Sequence, residues 1–211
     1  MFDHYIGLGV DCEVVAQLRR LTGCAQAQVL DWHVSHHGPL MHVLRTDFAD
    51  YLQLPNLELA PDRRYVLDTA TGLKVHHLFR ANVDGTLLPQ RVTRDYPRVR
   101  DRADYLLRRW RETVSSSASV LYVRQDPYGE LTVENVLELS AALRAQHPGH
   151  RCALLWVRST NVPGPLEGTV DELADGAYVA RLPARQPQAP WQGEDAHWDR
   201  LFPALCEVGR P

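Results

Sequence analysis

Lysine is almost missing from this chain. Among its 211 residues only Lys74 is one, and arginine supplies the rest of the basic charge. That bias is compositional and carries no function by itself. Charge of one sign is missing too: 23 basic residues stand against 26 acidic ones, for a formal net charge of -3. No basic excess marks a nucleic-acid partner. No apolar run approaches the roughly 20 residues that a membrane helix needs. The opening Met1-Phe2-Asp3-His4 lacks the basic and apolar regions of a secretory leader, so the expected compartment is the cytoplasm. Cysteine is sparse. Cys12, Cys24, Cys152 and Cys206 are spread out with no C-x-x-C pair. Disulfides are not expected in a reducing compartment, so each cysteine is either a small buried residue or a reactive thiol.

What is present describes an ordinary globular chain. Apolar residues make up 45% and charged residues 23%, and the length suits a single domain over residues 1–211. A short buried strand is expected at 5–9. A helix follows at 12–21, with Val14, Val15, Leu18 and Leu21 on one stripe. A second helix is expected at 40–52 with Leu40, Val43, Leu44, Phe48 and Leu52 inward, and residues 55–61 read as loop. Segments 65–67 and 73–79 read as a hairpin around Asp68-Thr69-Ala70-Thr71-Gly72. A long helix is expected at 95–114, a central strand at 120–124, and a helix at 132–145 that Thr132 would cap. A core strand at 152–157, a last strand at 177–182, a loop at 183–190 and a short helix at 196–205 complete an α+β or mixed α/β layout.

The candidate chemistry starts at Ile6-Gly7-Leu8-Gly9-Val10-Asp11-Cys12. A strand breaks at two glycines, and a thiol meets the start of a helix. There the macrodipole and free backbone N–H groups favour thiolate over thiol. A cysteine nucleophile needs a base, usually histidine. Leu73-Lys74-Val75-His76-His77 offers two, on what reads as a strand that would aim them at opposite faces. Read without further information, a cysteine near a helix start is more often a small core residue than a nucleophile, and a strand histidine is commonly a hydrogen-bonded structural residue.

Five segments in order resemble a bacterial family of papain-like cysteine peptidases. Gly7-Leu8-Gly9-Val10-Asp11-Cys12 resembles its Ser-Leu-Gly-x-x-Cys opening, and Leu30-Asp31-Trp32 its Pro-Phe-Asp-Trp segment. Residues 44–52, with Asp47-Phe48, resemble a helix ending in Asn-Phe-x-x-Phe/Tyr-Leu. Gly72-Leu73-Lys74-Val75-His76-His77 resembles a Gly-Ile-x-Phe-x-His strand, and Val120-Leu121-Tyr122-Val123-Arg124 a Val-Leu-Phe-Val-Arg strand. The resemblance reaches to about Arg158. It implies a papain-like fold, with an N-terminal nucleophile helix packed on a mixed or antiparallel sheet. It also implies Cys12 as nucleophile and His77 as general base. Gly7 stands where the family has Ser, Val29-Leu30 replace Pro-Phe, and Leu78 stands where Asp usually follows the histidine.

A base histidine normally has an orienting acceptor. Asp31, Asp126, Asn82 and Asp84 are the candidates, with Asp31 and Asp126 placed first. Asp31-Trp32 also reads as a structural turn, and Asp126 as a turn residue in Asp-Pro-Tyr-Gly. The Cys12 backbone N–H is the candidate oxyanion donor. His33, His36, His37 and His42 are dense, but no cysteine or carboxylate completes a metal spacing, so no metal and no cofactor are expected. Arg98, Arg100, Arg102, Arg108, Arg109 and Arg111 interleave with acidic residues, which reads as a salt-bridged solvent face, with an anionic carrier or phosphate partner as the alternative. The expected function is cysteine-dependent acyl transfer through an acyl-thioester on Cys12. The substrate would be a small-molecule, peptide or carrier-bound acyl group, with no nucleic-acid or membrane partner. The alternative is a catalytically inactive binding module on the same scaffold.

Overall fold

Val120-Leu121-Tyr122-Val123-Arg124 falls within strand β6 (Ser119–Asp126), around which the main sheet is assembled. The computed structural model describes residues 1–160, 169–185, 188 and 190–208. On one side β6 pairs in parallel with β1 (His4–Gly7), placing Gly7 against Val123. On its other side it pairs in parallel with β7 (Arg151–Thr160). β7 runs parallel to β9 (Ala177–Pro183), which carries β8 (Val170–Ala174) antiparallel at the far edge. The order is β1-β6-β7-β9-β8, a mixed sheet.

Both faces of this sheet are covered, which is why β6 reads as a continuous apolar run rather than an alternating one. Leu121 and Val123 pack with Val14 and Leu18 of α1 (Glu13–Thr22), and with Trp198 and Leu201 of α5 (Asp195–Glu207). Val120 and Tyr122 point the other way. They join a larger core with Leu40 of α2 (His37–Arg45), Trp110 of α3 (Pro89–Ser115) and Leu139 of α4 (Val133–Arg144). The expected α+β class is what the structure has, with five α-helices among the described residues.

Local chemistry sets the helix ends. Gly23, at φ +66°, closes α1 in the left-handed conformation that glycine adopts without penalty. Thr132 caps α4 as expected: its hydroxyl accepts from the Asn135 N–H while Asn135 reaches back to the Thr132 N–H. Pro89 starts α3 well before the expected residue 95, because its fixed φ and missing N–H suit a first helical position. α2 differs more. It begins at His37, with Pro39 tolerated in its first turn, and stops at Arg45 rather than 52. Asp47, Phe48 and Leu52 all take positive φ, so the chain turns there. The expected stripe is buried all the same. Its periodicity reported burial, and only part of it reported a helix.

A smaller antiparallel sheet, ordered β2-β5-β4-β3, joins the larger core. It comprises β2 (His33–Val34), β3 (Leu57–Leu59), β4 (Val66–Asp68) and β5 (Leu73–Val75). β3 occupies a stretch that composition assigned to loop, and β8 has no counterpart in the sequence expectations. Both owe their form to the strands they pair with. β5 ends at Val75, so His76 and His77 lie on a bend beyond it and do not alternate between faces. The expected loop at 183–190 falls partly outside the described residues. Among the described residues, no helix is long and apolar enough to cross a membrane.

His33, on β2, is buried against Tyr51 of the larger core. Its Nδ1 donates to the Asp31 carbonyl at 2.9 Å, and its Nε2 lies 2.8 Å from the Tyr51 hydroxyl. Burial pushes its pKa from 6.5 down to about 4. The unfolded chain therefore takes up a proton that the folded chain refuses between those values. Stability is full above pH 6.5 and is lost as pH falls toward 4, by up to about 3 kcal/mol. Urea unfolding across that range should show this slope, and His33→Phe should flatten it. An unchanged slope would refute the assignment.

Candidate active site

The chain leaves the carboxyl end of β1 and must turn into α1 within five residues. Gly9 makes the turn possible: it takes φ +72°, and a Cβ there would sit 2.5 Å from the Ser35 hydroxyl. Val10 follows at φ +92°, a conformation that costs a β-branched residue of order 1–3 kcal/mol. Such strain persists only where the surroundings impose it. Here Arg124, fully buried, donates through Nη1 to the Leu8 carbonyl at 2.9 Å and to Ser35 Oγ at 3.1 Å. Its Nη2 donates to the Ser35 carbonyl, and the Ser35 hydroxyl donates to Leu8 O at 2.9 Å. These bonds tie the turn to the loop that follows β2.

Cys12 is the N-cap of α1 and is half-buried. The expected stabilisation of its thiolate is not met. Burial pushes the thiol up to about 11, the neighbouring Asp11 carboxylate pushes it the same way, and Arg185 opposes them. The helix terminus is already answered by acids. Asp11 Oδ1 accepts the Cys12 N–H at 2.6 Å, and Glu13 occupies the first turn. The backbone N–H expected to serve an oxyanion is therefore engaged.

Asp11, Cys12, Trp32, His77 and Trp191 line one cleft of about 530 Å³. The smaller sheet brings two of these together: β2 lies antiparallel to β5 with His33 against Val75, so Trp32 and the bend after Val75 are adjacent. The Trp32 and His77 rings meet edge to face at 5.7 Å. Trp32 itself takes φ +65°, and the Arg19 guanidinium lies 5.4 Å from its ring centre. The bend carrying His77 is fixed to α3. Arg98 donates to the Leu78 carbonyl at 2.6 Å, and Arg80 pairs with the buried Asp95. His76 faces elsewhere. It stacks on Tyr65 at 5.5 Å, and burial holds its pKa below the usual value.

Cys12 and His77 share this cleft without a hydrogen bond between them. His77 is exposed, and its ring contacts are Trp32 and His76. The four candidate acceptors are occupied elsewhere. Asp31 accepts from Arg19 at 2.7 Å and from the Gln28 N–H at 3.0 Å. Asp126 accepts from the Glu130 and Leu131 N–H groups, closing its own turn. Asp84 accepts from Thr86, and Asn82 donates to Thr86. Leu78 packs against the main core. The clustered histidines diverge: His33 is interior, His36 faces Glu130 and His37 faces Glu138. Among the described residues, no group of three or more His, Cys, Asp or Glu is placed to hold a metal ion. Of the arginine run, Arg100 with Asp104 and Arg111 with Asp47 form ion pairs, and Arg100, Arg109 and Arg111 also clasp backbone carbonyls.

Three contributors escaped the sequence reading. Arg124 was visible only as a charge ending an apolar strand. Arg185 and Trp191 sit in a Pro-rich stretch with no local signal. In the structure Arg185 reaches Asp11 at 3.3 Å and donates to the Trp191 carbonyl at 3.0 Å, and Trp191 meets Trp32 at 6.0 Å.

Residues 3–158 match the model of the family described as "Putative papain-like cysteine peptidase (DUF1796)". No curated protein and no solved structure matches the chain. Arg185 and Trp191 lie past the matched residues.

Iodoacetamide labelling of the Cys12 peptide should be slow at neutral pH and rise toward an apparent pKa of about 11. Asp11→Asn should lower that midpoint and Arg185→Gln should raise it, each by removing one charge that acts on the thiol. A plateau reached below about pH 8.5 would show an activated thiolate instead.

Proposed function

We propose, for a chain that belongs to this papain-like cysteine peptidase family, that it is a cysteine-dependent acyl-transfer enzyme with Cys12 as nucleophile and His77 as general base. The observation that carries the reading is the single cleft whose walls include both the Cys12 thiol and the His77 ring. Strained backbone at Val10 and Trp32, on the approach to the thiol and on the facing wall, supports it.

The chemistry follows from the charge state. A thiol near pKa 11 is protonated at neutral pH, so a pre-formed thiolate is not the resting nucleophile. His77 instead takes the Sγ proton as sulfur attacks the acyl carbonyl, in the way a histidine activates a hydroxyl. The C–S bond forms, the carbonyl electrons move to oxygen, and the imidazolium returns the proton to the leaving group as its bond breaks. The product is an acyl-thioester on Cys12. Water, activated by the same imidazole, releases an acid; an amine or alcohol in its place gives acyl transfer. The acyl donor is a small molecule, a peptide or a carrier-bound group, handled in the cytoplasm.

Asp31 and Asp126 act in this reading as positioning residues. Asp31 holds the loop before β2 against α1 through Arg19, and Asp126 shapes the turn after β6. The imidazole is oriented by ring contacts rather than by a carboxylate. Leu78 in the place of the family's Asp favours a second reading, in which the scaffold binds its ligand without turning it over.

The two readings separate on p-nitrophenyl acetate followed by intact mass. An acetyl adduct should appear on wild-type protein and map to Cys12. It should be absent from Cys12→Ala and form about 10²–10⁴-fold more slowly in His77→Ala. His76→Ala should stay within a few-fold of wild type. No Cys12 adduct, or an adduct indifferent to His77, would favour the binding module.

A further inference from the structure

The cleft beside Cys12 has an unusual wall for a chain this polar. Trp32 and Trp191 converge at 6.0 Å with their planes 64° apart, and His77 stands edge-on to Trp32 at 5.7 Å. Trp191 leaves 49% of its surface exposed, although burying an indole is among the larger apolar gains a fold can make. The backbone that carries each ring is anchored. Trp32 sits in a strained left-handed conformation beneath Arg19. The carbonyl of Trp191 accepts from Arg185, which also pairs with Asp11. The adjoining Gln192 carbonyl accepts from Gln17 of α1 at 2.7 Å, so the segment carrying Trp191 is bonded to the same helix that Cys12 caps. Aromatic rings lining a cavity of about 530 Å³, on backbone bonded to the rest of the fold, suit a site for an apolar ligand.

Two ligand chemistries suit such rings: a neutral aromatic group, and a cation held over π-faces. The charges around the cleft decide between them. The Arg19 guanidinium already lies over Trp32, and Asp11, among the described residues the one carboxylate lining the cleft, is already paired with Arg185. The features that would draw a cation are taken by the protein's own arginines.

We propose that the Trp32–Trp191 pair is a specificity pocket for a neutral aromatic group on the acyl substrate, a proposal that rests on the reading of Cys12 as the attacked site's nucleophile. Trp191 lies past the family-matched residues 3–158. This pocket is therefore built partly from sequence that the family match does not include, and it makes the C-terminal segment the determinant of substrate choice. The indoles already touch each other, so the aryl ring packs against the side of the pair that faces the cleft, and the acyl carbonyl it carries is presented toward Sγ.

The test uses full-length Cys12→Ala protein, which separates recognition from chemistry. Indole N–H resonances are followed by NMR during titration with N-benzylacetamide, N-methylacetamide and tetramethylammonium. N-benzylacetamide should bind at least about tenfold more tightly than N-methylacetamide, as aryl packing against the indole pair allows. Trp191→Ala, a change at a half-exposed side chain, should abolish that difference, and Trp191→Phe should retain it. Equal affinity for the two amides would overturn the proposal, as would a preference for tetramethylammonium or an aryl preference that survives in Trp191→Ala. Because Cys12 is absent from this assay, failure here leaves the acetyl-adduct result standing, and failure of the adduct leaves this result standing.

Discussion

Everything near the cleft depends on one buried guanidinium. Arg124 leaves the face of the sheet that Tyr122 shares and donates to carbonyls on two different loops, those of Leu8 and Ser35. Stripping an arginine of water is costly, and here burial lowers its pKa to about 10 while Asp126 and Glu130 oppose that fall. Hydrogen bonds from a charged donor return about 1.5–3 kcal/mol each, which offsets the desolvation only because several are made at once. The Leu8 carbonyl is where β1 ends, and Ser35 lies between β2 and α2. Joining them fixes the turn that carries Cys12 against the strand pair that carries Trp32 and adjoins His77. The positive φ at Val10 is tolerated because this anchorage over-determines the turn.

Electrostatics around the thiol then sets the kind of chemistry available. A helix N-terminus lowers a thiol pKa, but its influence is typically worth only about 0.3–1 kcal/mol at accessible positions. Burial and a carboxylate one residue away act in the opposite direction and prevail. On the proposed reading, a neutral thiol that shares its cleft with an exposed imidazole calls for proton transfer during attack. It also keeps the resting cysteine less reactive toward stray electrophiles, since thiolate is the reactive form. Arg185 stands at the balance point, partnered with Asp11 and with the carbonyl of the indole that walls the cleft.

Much of this was legible in the sequence where periodicity and punctuation coincide. β6, α4 with its Thr132–Asn135 cap and α1 with Gly23 behind it follow from local rules. Cys12 and His77 were legible as residues, and the family resemblance paired them. What local pattern could not supply is pairing between distant segments. β3 and β8 are strands because β4 and β9 lie beside them. The helix expected through Leu52 ends at Arg45 because the buried stripe continues in turns. The thiol's charge state depends on Asp11 and on Arg185, more than 170 residues away in sequence. Trp191 was invisible for the same reason, since its significance comes from standing opposite Trp32.

In the proposed reaction His77 removes the proton from a neutral Cys12 thiol as attack occurs. The most direct measurement is the rate of Cys12 acetylation by p-nitrophenyl acetate near neutral pH, compared in H₂O and D₂O. Proton transfer within the rate-limiting step predicts slower acetylation in D₂O for the wild type, with that difference disappearing in His77→Ala. Equal or faster acetylation of wild-type protein in D₂O would mean that the thiolate exists before attack, and would contradict the account.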